Sequence, residues 1–308
     1  MNILHMKYAV EVAKTGSVNK ASETLLIAQP NLSRAIKELE GDLGITIFER
    51  TSRGMVLTAE GEEFIGYAKK ILSQIDDVEK LYRSGAKGRQ KFSVSVPRAS
   101  YISDGFAHFS KSISAEPAEI IYKETNALRA IKNILNSDYK LGIIRYAENY
   151  DRHFKNTLEE KGLSHELIAR FRHVVVASDS SPLAKKETLG FGDLRDRIEI
   201  AHADPFVPSI PMSEVRKEEL PDDIERRIFV YERGSQFELL STNPETYMWV
   251  SPIPEPTLKR FGLIQRVCPD NQKVYRDVLI YRKDYKLTDL DRRFIEEVMQ
   301  SKKRSFKN

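Results

Sequence analysis

The chain has 308 residues, of which 41% are hydrophobic and 31% charged, with a net charge of +4 and a single cysteine, Cys268. This is the balance of an ordinary soluble globular protein, with room for two or three domains of roughly 100–200 residues each. It excludes an internal disulfide, and no stretch approaches the roughly 18 uncharged apolar residues of a membrane helix. The N-terminus lacks the basic segment and small-residue cleavage site of a signal peptide, so a cytoplasmic location is expected. Much of the positive excess sits at Lys302, Lys303, Arg304 and Lys307, whereas residues 1–90 hold 13 Lys/Arg against 12 Asp/Glu, a balance of +1. Any contact with nucleic acid must therefore rest on basic residues clustered in space rather than on bulk charge.

In chain order, residues 3–14 place Leu4, Tyr8 and Val12 on one helical face, and Gly16 stops that helix. Ser17 is a suitable N-cap for a second helix over 18–26, which carries Val18, Ala21, Leu25 and Leu26 at helical spacing. After a short break, Pro30 fits the first turn of a third helix that runs to about Leu43, buries Leu32, Ile36 and Leu39, and ends at Gly44. The second and third helices read as a helix-turn-helix, with Gln29, Asn31, Ser33, Arg34 and Lys37 facing outward from the recognition helix. Gln and Arg suit adenine and guanine edges, and Ser and Lys suit phosphates. Strand-like residues 45–48 and 55–57 flank a hairpin tip holding Arg50 and Arg53, the shape of a wing that reaches phosphates or a minor groove. Periodicity alone leaves open a generic three-helix domain with a solvated polar face.

The run from Gly16 to Gly61, with Gly16-Ser17, Ala21, Leu25, Gln29-Pro30, Leu32-Ser33, Ile36, Leu39-Glu40, Leu43-Gly44, Phe48, Arg50, Arg53-Gly54 and Leu57-Thr58, closely resembles the N-terminal signature of LysR-type transcriptional regulators. The resemblance is long and ungapped. It implies that Gln29, Pro30, Ser33 and Arg34 contact an operator, with Arg50 or Arg53 acting from the wing. Together with the outward positions above, the candidate DNA contacts are Ser17, Gln29, Pro30, Asn31, Ser33, Arg34, Lys37, Arg50 and Arg53. Two departures are mild: Ser22 stands where the family usually has a second alanine, and Asn31 where it often has a small residue.

Thr58 caps a long helix with Glu60, Glu62 and Glu63 in its first turn. Phe64, Ala68, Ile71, Ile75, Val78 and Tyr82 then follow heptad spacing, widened by Ile65 and Leu72, until Gly85 and Gly88 end the helix. This predicts a dimerisation seam, the alternative being one amphipathic helix packed on its own domain. The family uses this helix to pair subunits, which implies an operator with approximate two-fold symmetry.

Beyond residue 89 strands and helices alternate: strands over 92–96, 120–124 and 141–145, and helices over 100–112 and 126–136, an order that implies a parallel sheet. A second unit begins near Glu166, with strands over 173–177, 198–202, 227–231 and 247–250 and a helix over 236–240. The chain then returns to the first unit through a strand over 275–281 and a helix over 289–301. The element order resembles the family's effector domain. The expected fold is therefore α/β with an N-terminal all-α winged helix-turn-helix, a long linker helix and a two-subdomain effector domain like a periplasmic binding protein. The expected boundaries are 1–58, 59–88 and 89–308, the last divided into subdomain I (about 89–164 and 267–308) and subdomain II (about 165–266).

Ligands of such folds bind beyond the carboxyl ends of strands, beside helix N-termini. That rule selects Arg98, Ser100, Tyr101, Thr125, Asn126, Arg145, Asp204 and Phe206 as candidate effector contacts. Arg98 and Arg145 would suit an anionic group such as a carboxylate, or are exposed strand-end residues; Tyr101 and Phe206 equally fit a core. The family often carries a glycine-rich turn near the cleft, and here residues 241–245 read Ser-Thr-Asn-Pro-Glu.

None of the six histidines falls in a metal-ligand pattern, and phosphate-loop, dinucleotide and nucleophile-elbow motifs are missing from the sequence. No catalysis, cofactor or metal is expected. His202 near Asp204 reads as a satisfied polar cluster, and the proline-rich runs at 209–211 and 251–256 as crossings or surface turns. The expected partners are double-stranded DNA, a small-molecule effector and a second copy of the chain, as homodimer or dimer of dimers, with RNA polymerase a further candidate and no membrane. The competing reading makes residues 90–308 a ligand-binding module or degenerate enzyme to which DNA binding is incidental.

Overall fold

The computed structural model describes residues 2–51, 54–83, 90–113, 115–137, 139–202, 204–208, 210–219 and 224–306, with backbone alone for 77, 80–83, 216, 217 and 219. The chain divides into two compact units, Met1–Gly88 and Arg89–Asn308.

The first unit opens with α1 (Ile3–Thr15), α2 (Val18–Leu25) and α3 (Gln29–Leu43). Asn2 caps α1 through a bond from the Leu4 amide, and α1 ends at Gly16 with φ of +63°. The Ser17 hydroxyl accepts the Lys20 amide at the start of α2. Leu26, expected to be helical, instead ends α2 at φ +55° with its side chain exposed. Ala21, Leu32, Ile36 and Leu39 are buried together with Ala9, Val12 and Ile47. The wing is β1 (Phe48–Thr51) antiparallel to β2 (Gly54–Leu57), so β1 begins at Phe48 rather than Ile45. Glu40 on α3 accepts the Ile47 and Phe48 amides at 2.8 and 3.2 Å, which fastens the root of the wing to α3.

Helix α4 (Ala59–Arg83) is capped by Thr58, whose hydroxyl accepts the Gly61 amide at 2.9 Å. The structure corrects the expected pairing seam at its start. Ala68 is fully buried, Ile65 nearly so, and both Ile65 and Phe64 pack into the core of this same unit. Only the next turns keep seam residues open: Ile71 and Val78 are exposed and Ile75 is half-buried. The side chain of Tyr82, Arg53 and the glycines at 85 and 88 lie outside the described residues.

The second unit begins β3 (Gln90–Val96), α5 (Ser100–Phe109), β4 (Ala118–Glu124), α6 (Ala127–Asn136), β5 (Leu141–Ala147), α7 (Asp151–Glu160) and β6 (Leu163–Arg172). It continues with β7 (Val174–Ser178), α8 (Phe191–Leu194), β8 (Ile198–His202), α9 (Met212–Glu219), β9 (Arg227–Val230), α10 (Arg233–Thr242) and β10 (Thr246–Val250). It closes with α11 (Glu255–Phe261), β11 (Leu263–Arg266), β12 (Val274–Arg282) and α12 (Asp289–Ser305). Two five-stranded sheets result, ordered β4-β3-β5-β12-β6 and β11-β7-β10-β8-β9. In the first sheet β3, β4 and β5 are parallel, as the alternating pattern predicts, while β12 runs antiparallel to both β5 and β6.

Residues 165–172, expected to open the second subdomain, belong to β6 and pair with β12 in the first sheet. Their alternation of buried and exposed side chains fits an edge strand of either sheet, so the pattern alone cannot assign them. The run at 251–256 is not simply a turn: Pro254 is the N-cap of α11 and Pro256 lies in its first turn.

A Cβ built on Gly61 would lie 2.1 Å from the Ile47 carbonyl oxygen, whereas one on Gly66 of the same helix meets nothing within 4 Å. Gly61→Ala should therefore destabilise the first unit by about 1–3 kcal/mol through forced backbone displacement. Gly66→Ala should stabilise it by about 0.5–1 kcal/mol through helix propensity. Calorimetry of the full chain separates the two, and equal melting profiles would refute the close approach of α4 to the wing root.

Candidate DNA-reading face and ligand cleft

The polar face of α3 is built by periodicity: Leu32, Ala35, Ile36 and Leu39 turn inward, which leaves Gln29, Pro30, Asn31, Arg34 and Lys37 exposed. Ser33 is half-buried, and its hydroxyl accepts the Gln29 side-chain amide at 2.8 Å. That bond leaves the Gln29 carbonyl oxygen free to accept and orients the residue before any partner arrives. Ala28, the N-cap, supplies no side-chain acceptor to the first turn. Arg34 and Lys37 form no ion pair among the described residues, as a phosphate- or base-contacting cation requires. Arg50 is exposed on β1. Ser17 is half-buried at the start of α2.

In the second unit a cavity of about 780 Å³ opens between the two sheets. Of the eight candidate contacts, Arg98, Thr125, Asn126, Arg145, Asp204 and Phe206 line it. Ser100 and Tyr101 do not. Both are buried in the first turn of α5, and the Tyr101 hydroxyl is committed to Asp277 on β12 at 2.5 Å. A residue one or two places past a strand end reaches a cleft only if the chain is still extended there, and α5 has already begun at Ser100.

Neither arginine is the open anion site that strand-end position suggested. Arg98 donates to both carboxylate oxygens of Asp204 at 2.8 and 3.3 Å. Asn126, whose carbonyl caps α6, adds its amide to the same carboxylate at 3.2 Å. Arg145 does not follow β5 but lies within it, opposite Asp277 on β12, and grips that fully buried carboxylate with bonds of 2.8 and 2.7 Å. Its guanidinium also lies 4.9 Å from the centre of the Phe171 ring.

His202 is part of the cleft wall rather than a partner of Asp204. Its Nδ1 bonds the Val230 carbonyl at 3.0 Å, and burial followed by the nearby Arg98 charge lowers its pKa to about 4. His173, which position alone did not single out, also lines the cleft. It stacks on Tyr275 with ring centres 3.9 Å apart, and burial, then Arg145 and Lys273, hold its pKa well below the usual histidine value. Further pairs span the sheets. Arg233 on α10 bonds Glu124 at the end of β4 and Ser103 on α5, both at 2.7 Å, while Glu218 on α9 accepts from Tyr150 and Asn149. These partners are separated by 68–130 residues, so no local pattern announces them. The 241–245 segment does not line the cleft; Ser241 and Thr246 bond nearby backbone carbonyls instead. Among the described residues no cluster of His, Cys, Asp and Glu could hold a metal ion, and no helix is long and apolar enough to cross a membrane.

Residues 3–62 match the family model described as the bacterial regulatory helix-turn-helix protein, lysR family. The transcriptional regulator AlsR of Bacillus subtilis is 28% identical over 69% of this chain and 68% of its own length. Over residues 3–62 the chain carries the helix-turn-helix of the lysR family. BenM of Acinetobacter baylyi is 42% identical, over 32% of this chain and 35% of its own. YcgK of Bacillus subtilis is 41% identical but aligned over only 30% of its length, so the strong identity concentrates in a part of these relatives. At the level of fold, CbnR bound to its target DNA superposes with a TM-score of 0.62 at 21% identity, covering 98% of this chain and all of that one. LysG of Corynebacterium glutamicum with bound effector Arg gives 0.53 at 17% identity, covering 98% of each chain. The fold, an N-terminal helix-turn-helix and a two-sheet α/β unit, is thus the one these solved structures share.

Removing the Asp277 carboxylate leaves Arg145 charged, buried and without its partner. Asp277→Ala should destabilise the second unit by about 3–5 kcal/mol, while replacing both partners by apolar residues should cost less than either single change. Thermal unfolding of the three variants tests this, and an additive double mutant would show that the two groups do not act as a pair.

Proposed function

We propose that this chain is a LysR-type, sequence-specific DNA-binding transcriptional regulator whose activity is set by a small molecule held between the two sheets of its second unit. The observation that carries the reading is the exposed face of α3, where Gln29, Asn31, Arg34 and Lys37 stand outward on a helix-turn-helix. Gln29 and Arg34 would read base edges; Ser33, Lys37, Ser17 and the wing arginines would hold phosphates. Arg53 belongs to this set by its place in the wing sequence.

The reading includes self-association. Ile71, Ile75 and Val78 would pair two α4 helices, with Tyr82 continuing the seam, while Phe64 and Ala68 leave the set because their own domain claims them. CbnR bound to target DNA and LysG with its effector Arg support a chain that takes DNA and a small molecule. The ligand contacts would come from Thr125, Asn126, Phe206 and the ion-paired Arg98, Asp204 and Arg145. Binding and release, not turnover, are the proposed output, in a cytoplasmic protein with RNA polymerase as the downstream partner.

A footprint on the DNA upstream of the chain's own gene should show a salt-sensitive protected site with two-fold symmetry. Arg34→Ala should cost about 1–3 kcal/mol of operator binding and relax base preference, whereas equal weakening on random DNA would make Arg34 a phosphate contact. Ile71→Asp and Ile75→Asp should each lower the oligomeric state seen by sedimentation; wild-type behaviour of both would remove α4 as the pairing element.

A further inference from the structure

The arginines in the interior of the cleft are spoken for. Arg98 is paired with Asp204 and Arg145 with Asp277, and Lys273 stands 3.9 Å from Glu218. Of the acids, Glu199 is held by Arg227 at 2.6 Å. Arg195, Asp196 and Glu225, which carry the remaining charges, are exposed at the rim. A carboxylate that passes the rim to reach the interior arginines would have to take Arg98 from Asp204 or Arg145 from Asp277. Either exchange strands a carboxylate in a half-buried or fully buried place. An uncharged ligand requires no such exchange.

Two imidazole nitrogens of the lining are open to it. The His202 Nδ1 can bond the Val230 carbonyl only as N–H, so its Nε2 carries a lone pair. The Nε2 of His173 is buried with no hydrogen-bond partner among the described residues. Burial and neighbouring cations keep both rings neutral at pH 7, so neither offers an anion a charge. The walls between them include Phe206, Tyr247, Met248 and Trp249, a surface suited to a ring or short hydrocarbon.

We propose that the cleft selects an uncharged ligand of aromatic size whose hydroxyl or amide donates to His202 Nε2, with a second polar group meeting His173 Nε2, and discriminates against the matching carboxylate. This rests on the reading of the cleft as an effector site and names the chemistry of that effector.

Trp249 is the sole tryptophan of the chain and lines the cleft, so its emission reports occupancy in the full-length protein. The probes are two matched pairs, 3-phenylpropan-1-ol with 3-phenylpropanoate and phenylacetamide with phenylacetate. The alcohol and the amide should quench or shift Trp249 saturably and bind about tenfold or more tighter than their carboxylate partners. His202→Leu should erase most of that advantage, with a melting profile recorded alongside. The wild-type comparison stands by itself if the variant fails to fold. Carboxylates that bind as tightly as the neutral probes, or tighter, overturn the proposal and leave the effector-site reading in place. Silence from all four probes, in protein that melts normally, overturns that reading as well.

Discussion

A carboxylate with no exposure to water dictates how the second unit is assembled. Asp277 sits on β12 where the register with β6 shifts, and a charge there is tolerable only if its lone pairs are filled. Two guanidinium bonds from Arg145 on β5 and the hydroxyl of Tyr101 on α5 fill them. Three elements that meet in no local sequence pattern are thereby fixed to one point. Desolvation, then the Asp277 charge, pushes the Tyr101 pKa well above that of a free phenol, so the hydroxyl remains a donor at any physiological pH. Arg145 is in turn held over Phe171 of β6, which extends the same cluster to the strand that leads into the second sheet.

The cleft inherits its charge from that arrangement. Its walls come from both sheets, and the groups that cross between them include ion pairs and hydrogen bonds, Arg98 to Asp204, Arg233 to Glu124 and Tyr150 to Glu218, beside the packing of Val207 and Val215 into the core of the first sheet. A ligand that altered the spacing of the sheets would do so against these few contacts. Asp204 is central here, since its carboxylate and backbone carbonyl both bind Asn126 while the carboxylate also binds Arg98.

Sequence legibility followed the range of the interaction. The three N-terminal helices, their caps at Ser17 and Gly44 and the cap of α4 at Thr58 were readable because they depend on neighbours within a few residues. So were β3, β4 and β5, whose alternation with helices forces a parallel order. The assignment failed where tertiary context decided between equivalent local patterns. Residues 165–172 read as a strand of either sheet, and the spacing that marks Ala68 for a partner helix equally fits burial within its own unit, where α4 packs on α1. Arg98 and Arg145 were found by position, yet their pairing with acids 106 and 132 residues away was beyond any local rule. His173 carries no motif at all; only the absence of a partner for its Nε2 among the described residues brings it forward.

The first unit breaks local rules just before the exposed face of α3. Leu26 adopts a left-handed backbone, a conformation that costs a non-glycine residue about 1 kcal/mol, and leaves its side chain 93% exposed. Two residues later Ala28 occupies an N-cap where Ser, Thr, Asp or Asn would contribute about 1 kcal/mol. Neither choice improves the fold of an isolated three-helix domain. Both lie in the turn that presents Gln29 and Asn31, and an N-cap without a side chain leaves the first turn of α3 open to an approaching phosphate. With a net charge of only +1 over residues 1–90, long-range attraction to DNA is weak. On the proposed function the contacts that remain are short-range ones, so discrimination between sequences would be concentrated in the few side chains that α3 holds outward.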